Sequence, residues 1–283
     1  MTALTIGRKP DTIKPRRLKM LVSGKSGVGK TYTCLEWPNL FYIDTEKGAT
    51  EPEYTQRMKD AGVMYMGPGD GTLDPVQLVE SFWQLHVADH DRKTVTVDSI
   101  TKAFNVWTVE AEKRVGSAFG ADKKEAIKWM RRLIANMDQL DMNVILIAHS
   151  KPEWSDGECI GETFDCWDKL EYELDLWVEV KRQGSKRIAI VRKSRIAAFP
   201  VGDRFPWTYE TFADLYGRDN IEAKRKKENH NAVLTRLIKK HDIDKEIVQR
   251  WLDAANVEST AKMTSEQQRG CIDWINDNVV SVG

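Results

Sequence analysis

The feature that most constrains how this chain can fold is the run Gly24, Lys25, Ser26, Gly27, Val28, Gly29, Lys30 and Thr31. The run fits the pattern G-x-x-x-x-G-K-[ST] at every fixed position, between an apolar segment (18–23) and a helix-compatible segment, TYTCLEW. In that setting the glycines let the loop curl so that backbone N–H groups surround phosphate oxygens. We predict an ATP-binding loop, with Lys30 on the β- and γ-phosphates and the Thr31 hydroxyl on Mg²⁺.

Short apolar runs alternate with longer amphipathic segments through the first three quarters of the chain. Runs of this length are typical of strands buried on both faces of a parallel sheet. The predicted strands are residues 18–23, 40–43, 63–66, 94–97 and 144–148. Residues 176–182 and 186–192 flank Gln183-Gly184-Ser185 and are predicted to form a hairpin that extends the sheet. The fold class is therefore predicted to be α/β, with a mainly parallel central sheet.

The pattern changes after Tyr216, where helical periodicity replaces the strand pattern. A basic run at 224–227 precedes predicted helices, and Thr264 with Gln267 has the spacing of a capping box. We predict a nucleotide-binding core over residues 1–216 and a small helical C-terminal domain, with its basic linker, over residues 217–283.

Composition excludes some classes of function. The 283 residues carry no formal net charge, so no global basic field indicates a nucleic-acid partner, although local patches remain open. No apolar run approaches the ~20 residues that a membrane span requires, and the N-terminal sequence lacks the apolar stretch of a signal peptide. The four cysteines have no pairing spacing. We expect a cytoplasmic protein with no membrane partner.

Acidic residues follow two of the predicted strands. Asp98 ends the strand 94–97, at the edge where such folds bind ligands, and is predicted to hold Mg²⁺ directly or through water. Glu46 and Asp44 lie at the end of strand 40–43, and either could orient and deprotonate the attacking water. Chemistry alone does not choose between these two carboxylates.

The order of motifs resembles the core of the RecA recombinases. The phosphate-binding loop is followed by Ile-Asp-x-Glu, by Val-Asp-Ser and by a late Lys-x-Arg strand, over about residues 15–210. The sequence is most similar to the short RecA-core ATPases of bacteriophages, which act in recombination and single-strand annealing. This resemblance implies a RecA-like fold, a place in the host cytoplasm, Glu46 as the catalytic glutamate and Asp98 as the magnesium-binding strand end.

The same resemblance implies roles for four further residues. His149 stands where RecA has a glutamine that senses the γ-phosphate, and Tyr54 lies near the position of an adenine-stacking tyrosine. Lys193 and Arg195 correspond to two basic residues that reach the ATP of a neighbouring subunit. Because residues two apart on a strand share a face, both could meet one γ-phosphate. The implied assembly is a homo-oligomeric ring or filament.

Single-stranded DNA is the partner that the resemblance implies. The two DNA-binding loops would correspond to residues 116–121, continuing to Lys123 and Lys124, and to residues 150–166, which contain Lys151 and Trp154. The second loop also contains Asp156, Glu158, Glu162 and Asp165, which repel phosphate. The C-terminal domain would recruit DNA, a single-strand-binding protein or another replication protein.

Three alternatives to a DNA-directed ATPase remain open on the sequence. They are a P-loop kinase acting on a small acceptor, an assembly or loading ATPase acting on a protein, and a nucleotide-gated module that does not hydrolyse ATP. A kinase would carry an Arg-rich lid, which the sequence lacks in compact form. The loading class usually has glutamate directly after its strand-end aspartate, where this chain has Ser99.

Overall fold

A computed structural model describes residues 17–224 and 230–280 of the chain. These residues form two compact units. The first comprises residues 17–86 and 90–224, and the second comprises residues 87–89 and 230–280.

A nine-stranded sheet forms the centre of the first unit, in the order β3-β2-β4-β5-β1-β7-β8-β9, with β6 paired to β5 outside that path. The six strands from β3 to β7 along this order are parallel, and β8 and β9 continue the sheet in antiparallel fashion. The strands are β1 (Lys19–Gly24), β2 (Leu40–Asp44), β3 (Met64–Met66), β4 (Thr94–Asp98), β5 (Asn143–Ser155), β6 (Glu158–Phe164), β7 (Leu176–Gln183), β8 (Lys186–Ser194) and β9 (Arg204–Pro206).

Helices cover the faces of this sheet, so its central strands are buried on both sides. Every residue of β1 and β4 is buried, which is why these segments read as continuous apolar or Thr/Val runs instead of alternating ones. The helices of the first unit are α1 (Lys30–Cys34), α2 (Pro52–Asp60), α3 (Pro75–Val87), α4 (Ile100–Val115), α5 (Ala121–Met137), α6 (Leu170–Glu173), α7 (Tyr209–Tyr216) and α8 (Arg218–Glu222).

All seven predicted strands are present, and the predicted fold class, α/β with a mainly parallel sheet and a helical C-terminal region, is confirmed. The division between the two units lies further along the chain than residue 216. The reason is that α8 packs with the core: Ile221 is fully buried, and its carbonyl accepts a hydrogen bond from Asn143 Nδ2 at 3.0 Å.

The interpretation of residues 150–166 as a loop was wrong for most of that segment. β5 continues past the buried sheet to Ser155, turns at Asp156 and Gly157, and pairs antiparallel with β6. The segment is therefore a two-stranded ribbon, defined here as residues 150–164. Sequence patterning does not predict it, because a solvated ribbon is stabilised by backbone pairing and needs no apolar alternation.

A smaller correction concerns Arg195. It does not lie on the same strand as Lys193, because β8 ends at Ser194.

The second unit is helical, as predicted. Its helices are α9 (His230–Lys240), α10 (Lys245–Ala255) and α11 (Ser265–Ile275). The capping box is confirmed, since Thr264 Oγ1 accepts from Gln267 N at 3.2 Å and Gln267 Oε1 accepts from Thr264 N at 2.9 Å. Beyond Lys224, the predicted basic run lies outside the described residues, as does the N-terminal sequence before Arg17. Within the described parts, no helix is both long and apolar enough to span a bilayer.

Candidate active site

Neighbouring strands bring the candidate residues to one edge of the sheet. The register pairs Gly24 of β1 with His149 of β5, and Asp44 of β2 with Asp98 of β4. Since the carboxyl ends of parallel strands meet at the same edge, residues far apart in sequence converge there.

The phosphate-binding loop, residues 24–31, has a backbone that only glycine accommodates at two points. Gly29 has φ +96°, in the left-handed region. A side chain on Gly24 would lie 2.6 Å from the carbonyl oxygen of Val180 on β7. Val28 turns its side chain onto the core of the first unit, which anchors the loop. The loop shape is therefore fixed by the sheet beneath it.

Lys30 is the buried cation of this loop. Its ammonium group donates to the carbonyl oxygens of Gly24, at 2.7 Å, and Lys25, at 2.9 Å. Burial lowers the pKa of Lys30, while the nearby carboxylates of Asp98 and Glu46 oppose that shift. The lysine is thus held over its own loop, where a phosphate would offer it a charged acceptor.

Thr31 and Asp98, the two predicted magnesium ligands, are in contact. The Thr31 hydroxyl donates to Asp98 Oδ2, which also accepts from the Tyr42 hydroxyl at 2.7 Å. Burial raises the pKa of Asp98, and the two hydrogen bonds oppose that shift. A hydroxyl and a carboxylate are hard oxygen donors that suit Mg²⁺, which takes its remaining ligands from phosphates and water. The residues present therefore fit this ion.

Glu46 is held between two polar side chains. Glu46 Oε1 accepts from Ser99 Oγ at 2.5 Å and lies 2.7 Å from His149 Nε2. The hydrogen bond from His149 lowers the pKa of Glu46, and the same contact raises the pKa of His149. Glu46 is therefore ionised at neutral pH, with one oxygen fixed by Ser99, the residue that follows Asp98.

Asp44 has a structural environment that differs from that of Glu46. It is 1% exposed, and its two oxygens accept from the backbone N–H groups of Glu46 and Lys47, each at 2.8 Å, and of Ala49 at 3.1 Å. The Tyr65 hydroxyl donates to it as well, at 3.2 Å. These contacts fold the turn that carries Glu46 to the edge of the sheet.

We expect Asp44→Asn to lower the free energy of unfolding by about 1.5–3 kcal/mol, since the amide group would point a donor at backbone N–H groups that now meet a carboxylate. Urea denaturation measures this loss. Asp74→Asn is the matched control, because exposed Asp74 accepts from Val76 N and Gln77 N, and asparagine caps helices about as well as aspartate. Equal losses in the two variants would contradict the structural role of Asp44.

Comparisons with known proteins identify the family of this chain. The model of the AAA_24 family, described as an AAA domain, matches residues 16–208, more than half of the chain. The chain belongs to the AAA_24 family. In overall structure it is similar to a crystal structure of the RadB recombinase, with 20% identity, a TM-score of 0.47, and coverage of 67% of this chain and 86% of that one. No curated protein matches it in sequence.

The AAA_24 domain encloses a cavity of about 490 Å³ above the phosphate-binding loop. Its walls contain the predicted site residues Glu46, Asp98, His149 and Tyr54 in addition to the loop. Tyr54 is half-buried and also packs against the small apolar cluster around Tyr42. Asp44 does not line the cavity.

Lys193 and Arg195 lie elsewhere in the AAA_24 domain and do not line this cavity. Each donates to a main-chain carbonyl at the end of α6, Lys193 to Leu174 and Arg195 to Tyr172. The two basic groups therefore reach the same short segment of the chain, although Lys193 lies on β8 and Arg195 lies beyond its end.

Several residues that shape the site were not predicted from the sequence. Ser99 and Tyr42 contact the two acidic residues, and Tyr32 and Arg187 line the cavity. The sequence could have indicated Ser99 and Tyr32 as site residues, since each directly follows a predicted metal ligand. Arg187 had none, because its position depends on how β8 lies beside the loop.

We expect the pKa of His149 to lie above the usual value near 6.5 and to fall towards it in Glu46→Gln, since the amide removes the charge that stabilises imidazolium. An NMR titration of the imidazole Cε1–H signals measures both values. His241 provides an internal reference, because its pKa is lowered by burial and by Lys240. An unchanged His149 titration in the variant would mean that the two side chains do not pair in solution.

Proposed function

We propose that this protein is a Mg²⁺-dependent ATPase of RecA type that acts on single-stranded DNA in recombination or annealing, within an assembly of identical subunits. The observation that carries the ATPase part is the contact between Glu46 and Ser99. It fixes a carboxylate beside the residues that would hold Mg²⁺, which is where an attacking water must be oriented.

Each residue of the site has a role in this proposal. The loop N–H groups and Lys30 bind the phosphates, and Thr31 with Asp98 would hold Mg²⁺, which neutralises charge on the transferred phosphoryl group. Glu46 orients the water and accepts its proton. Its lowered pKa keeps it ionised but makes it a weak base, so orientation is the larger part of its contribution. His149 connects Glu46 to the ribbon that begins at Ser150.

Exposed aromatic residues support DNA as the partner. Phe119, between Gly116 and the lysines at 123 and 124, is fully exposed, and Trp154 of the ribbon is 66% exposed. Bases stack on exposed aromatic rings whatever their sequence, and both rings lie in the segments predicted to contact DNA. Lys151 adds positive charge near Trp154, although it also pairs with Asp168 at 3.3 Å and Asp165 at 3.8 Å.

Assembly would complete the site through Lys193 and Arg195. Both now donate to carbonyls of their own chain. A γ-phosphate from a neighbouring subunit would offer them a charged acceptor, and charge-assisted hydrogen bonds are roughly twice as strong as neutral ones.

ATP hydrolysis with and without oligo(dT), run beside a light-scattering measurement of mass, tests this function. We expect single-stranded DNA to stimulate hydrolysis and the mass to exceed that of one chain. Trp154→Ala should weaken DNA binding by about 1–3 kcal/mol by removing one stacking ring. Val201→Ala is the matched control, since Val201 is equally exposed on the same unit.

Two outcomes would contradict the proposal. A protein that stays monomeric and hydrolyses ATP at the same rate with and without DNA would contradict the recombination function. That result would favour an ATPase that loads or remodels a protein. Transfer of phosphate to a small acceptor in place of water would indicate a kinase.

A further inference from the structure

One arginine of the nucleotide cavity has no part in the roles described so far. Arg187 of β8 is half-buried and lines the cavity above the phosphate-binding loop. Its guanidinium group lies against the loop: a methyl group placed on Gly29 would come within 2.2 Å of Arg187 Nε and 3.1 Å of Cζ. A cation thus stands in the same chain directly beside the backbone that cradles phosphates.

The charge of Arg187 is not met by a carboxylate. The cavity's exposed lysine, Lys25, pairs with Glu162 at 2.7 Å, and nearby Arg57 pairs with Glu36 at 3.3 Å. Over residues 17–224 and 230–280, no carboxylate forms an ion pair with Arg187. A half-buried guanidinium group keeps five N–H donors that need acceptors, and phosphate oxygens match its planar geometry.

An aromatic ring fixes the orientation of this guanidinium group. Arg187 Cζ lies 3.9 Å from the ring centroid of Tyr32, and Arg57 Cζ lies 3.6 Å from the same centroid. Because its central carbon lies over the ring face, the guanidinium group is restricted in orientation while its N–H donors remain available. Its backbone is anchored too, since Arg187 O accepts from Trp207 N at 2.9 Å. This pre-organisation lowers the entropy lost when an anion binds.

The sheet itself does not account for an arginine at this position. Arg187 is registered opposite Arg182 across β7 and β8, and like charges directly opposite each other destabilise an antiparallel pair. The cost of this repulsion is consistent with a role for Arg187 in binding.

We infer that Arg187, held by the ring of Tyr32, is a phosphate clamp that binds the α-phosphate of the nucleotide from within the same subunit. This inference rests on the proposed function, because it assumes that the cavity holds ATP. Glu46 and His149 line the part of the cavity where the γ-phosphate would lie. Arg187 instead contacts Gly29 and Tyr32, the residue after Thr31. The ligand class is therefore any nucleoside di- or triphosphate, and the clamp does not distinguish ADP from ATP.

Calorimetric titration with ADP and with AMP-PNP, each in the presence of Mg²⁺, tests the clamp. We expect Arg187→Ala to raise the Kd of both ligands by a similar factor, about 10- to 100-fold for one lost charge-assisted contact. Arg187→Lys keeps the positive charge but not the planar group over the Tyr32 ring, so its Kd for both ligands should rise less than that of Arg187→Ala. Arg182→Ala is the matched control on the adjacent strand, outside the cavity, and should keep the wild-type Kd for both ligands.

Tyr32 is the positioning residue, and its variants separate orientation from folding. Tyr32→Leu should raise the Kd of both ligands by a smaller factor than Arg187→Ala does. Tyr32→Phe, which keeps the ring, should bind both ligands with the wild-type Kd. A general loss of folding would be visible in the melting temperature and would not be rescued by the ring alone.

Three results would overturn the inference. They are an unchanged Kd for both ligands in Arg187→Ala, a loss confined to AMP-PNP, which would assign Arg187 to the γ-phosphate, and an equal loss in Arg182→Ala, which would reduce the effect to general charge. The wild-type titration separates this inference from the proposed function. If the wild-type protein binds neither ligand, the proposed function fails. If it binds both and Arg187→Ala binds them equally well, only the clamp fails.

Discussion

Replacing Lys30 with alanine is expected to weaken ATP binding by about 100-fold or more, which corresponds to about 3 kcal/mol. The reason is burial. The Lys30 ammonium group is enclosed by the loop and contacts two of its carbonyl oxygens, so its charge acts on phosphate with little screening by water. Calorimetry with AMP-PNP measures the loss directly.

Lys25→Ala is the matched control for this variant. It removes a lysine from the same loop, but one whose side chain is 71% exposed and already paired with Glu162. Because water and the Glu162 carboxylate screen the charge of Lys25, this lysine contributes less to ATP binding than Lys30 does. The affinity for AMP-PNP should therefore fall several-fold at most. If both variants lost the same affinity, the loop would act as a general basic patch and not through one buried cation.

Glu46→Gln should lower the rate of ATP hydrolysis by about 10²- to 10⁴-fold while leaving nucleotide affinity nearly unchanged, since glutamine keeps the shape of the side chain but lacks the carboxylate charge that orients the water and accepts its proton. Single-turnover hydrolysis, measured beside the affinity for ATP, separates the two effects. Ser99 and His149 hold the Glu46 carboxylate at the sheet edge, so the expected loss is one of chemistry.

Asp44→Asn provides the contrast. This variant changes the other acidic residue of the same strand end, which lies outside the cavity and accepts backbone N–H groups. Its cost should appear in stability, with hydrolysis reduced only as far as the turn carrying Glu46 is disturbed. Wild-type turnover in Glu46→Gln would refute the assignment of Glu46 as the base.

The parts of this protein that were predictable are those determined by local sequence. Gly29 and Lys30 belong to a contiguous motif, and β1 and β4 are buried on both faces, so their apolar composition indicates their structure directly. The position of Asp98 followed from the rule that ligands bind at the carboxyl ends of parallel strands.

The parts that could not be predicted depend on contacts between distant segments. Sequence chemistry left Asp44 and Glu46 equivalent, and the difference between them comes from the hydroxyl of Tyr65 and from backbone groups beyond the strand. Arg187 reaches Tyr32 only because the sheet order β1-β7-β8 places β8 one strand away from β1, whose carboxyl end leads into the phosphate-binding loop. Ribbon strand β6 reads as a polar loop, since six of its seven residues are exposed or half-buried and only Phe164 is buried in the core.

The continuity of β5 has a mechanical consequence. The strand passes from the buried sheet into the ribbon as a single 13-residue strand, with a β-bulge between Glu153 and Trp154, and spans about 40 Å at roughly 3.3 Å per residue. His149 lies at the point where this strand leaves the core. A change at His149 is therefore continuous through one strand with the Asp156–Gly157 turn at the tip of the ribbon, and we expect hydrogen exchange at that tip to change when nucleotide binds.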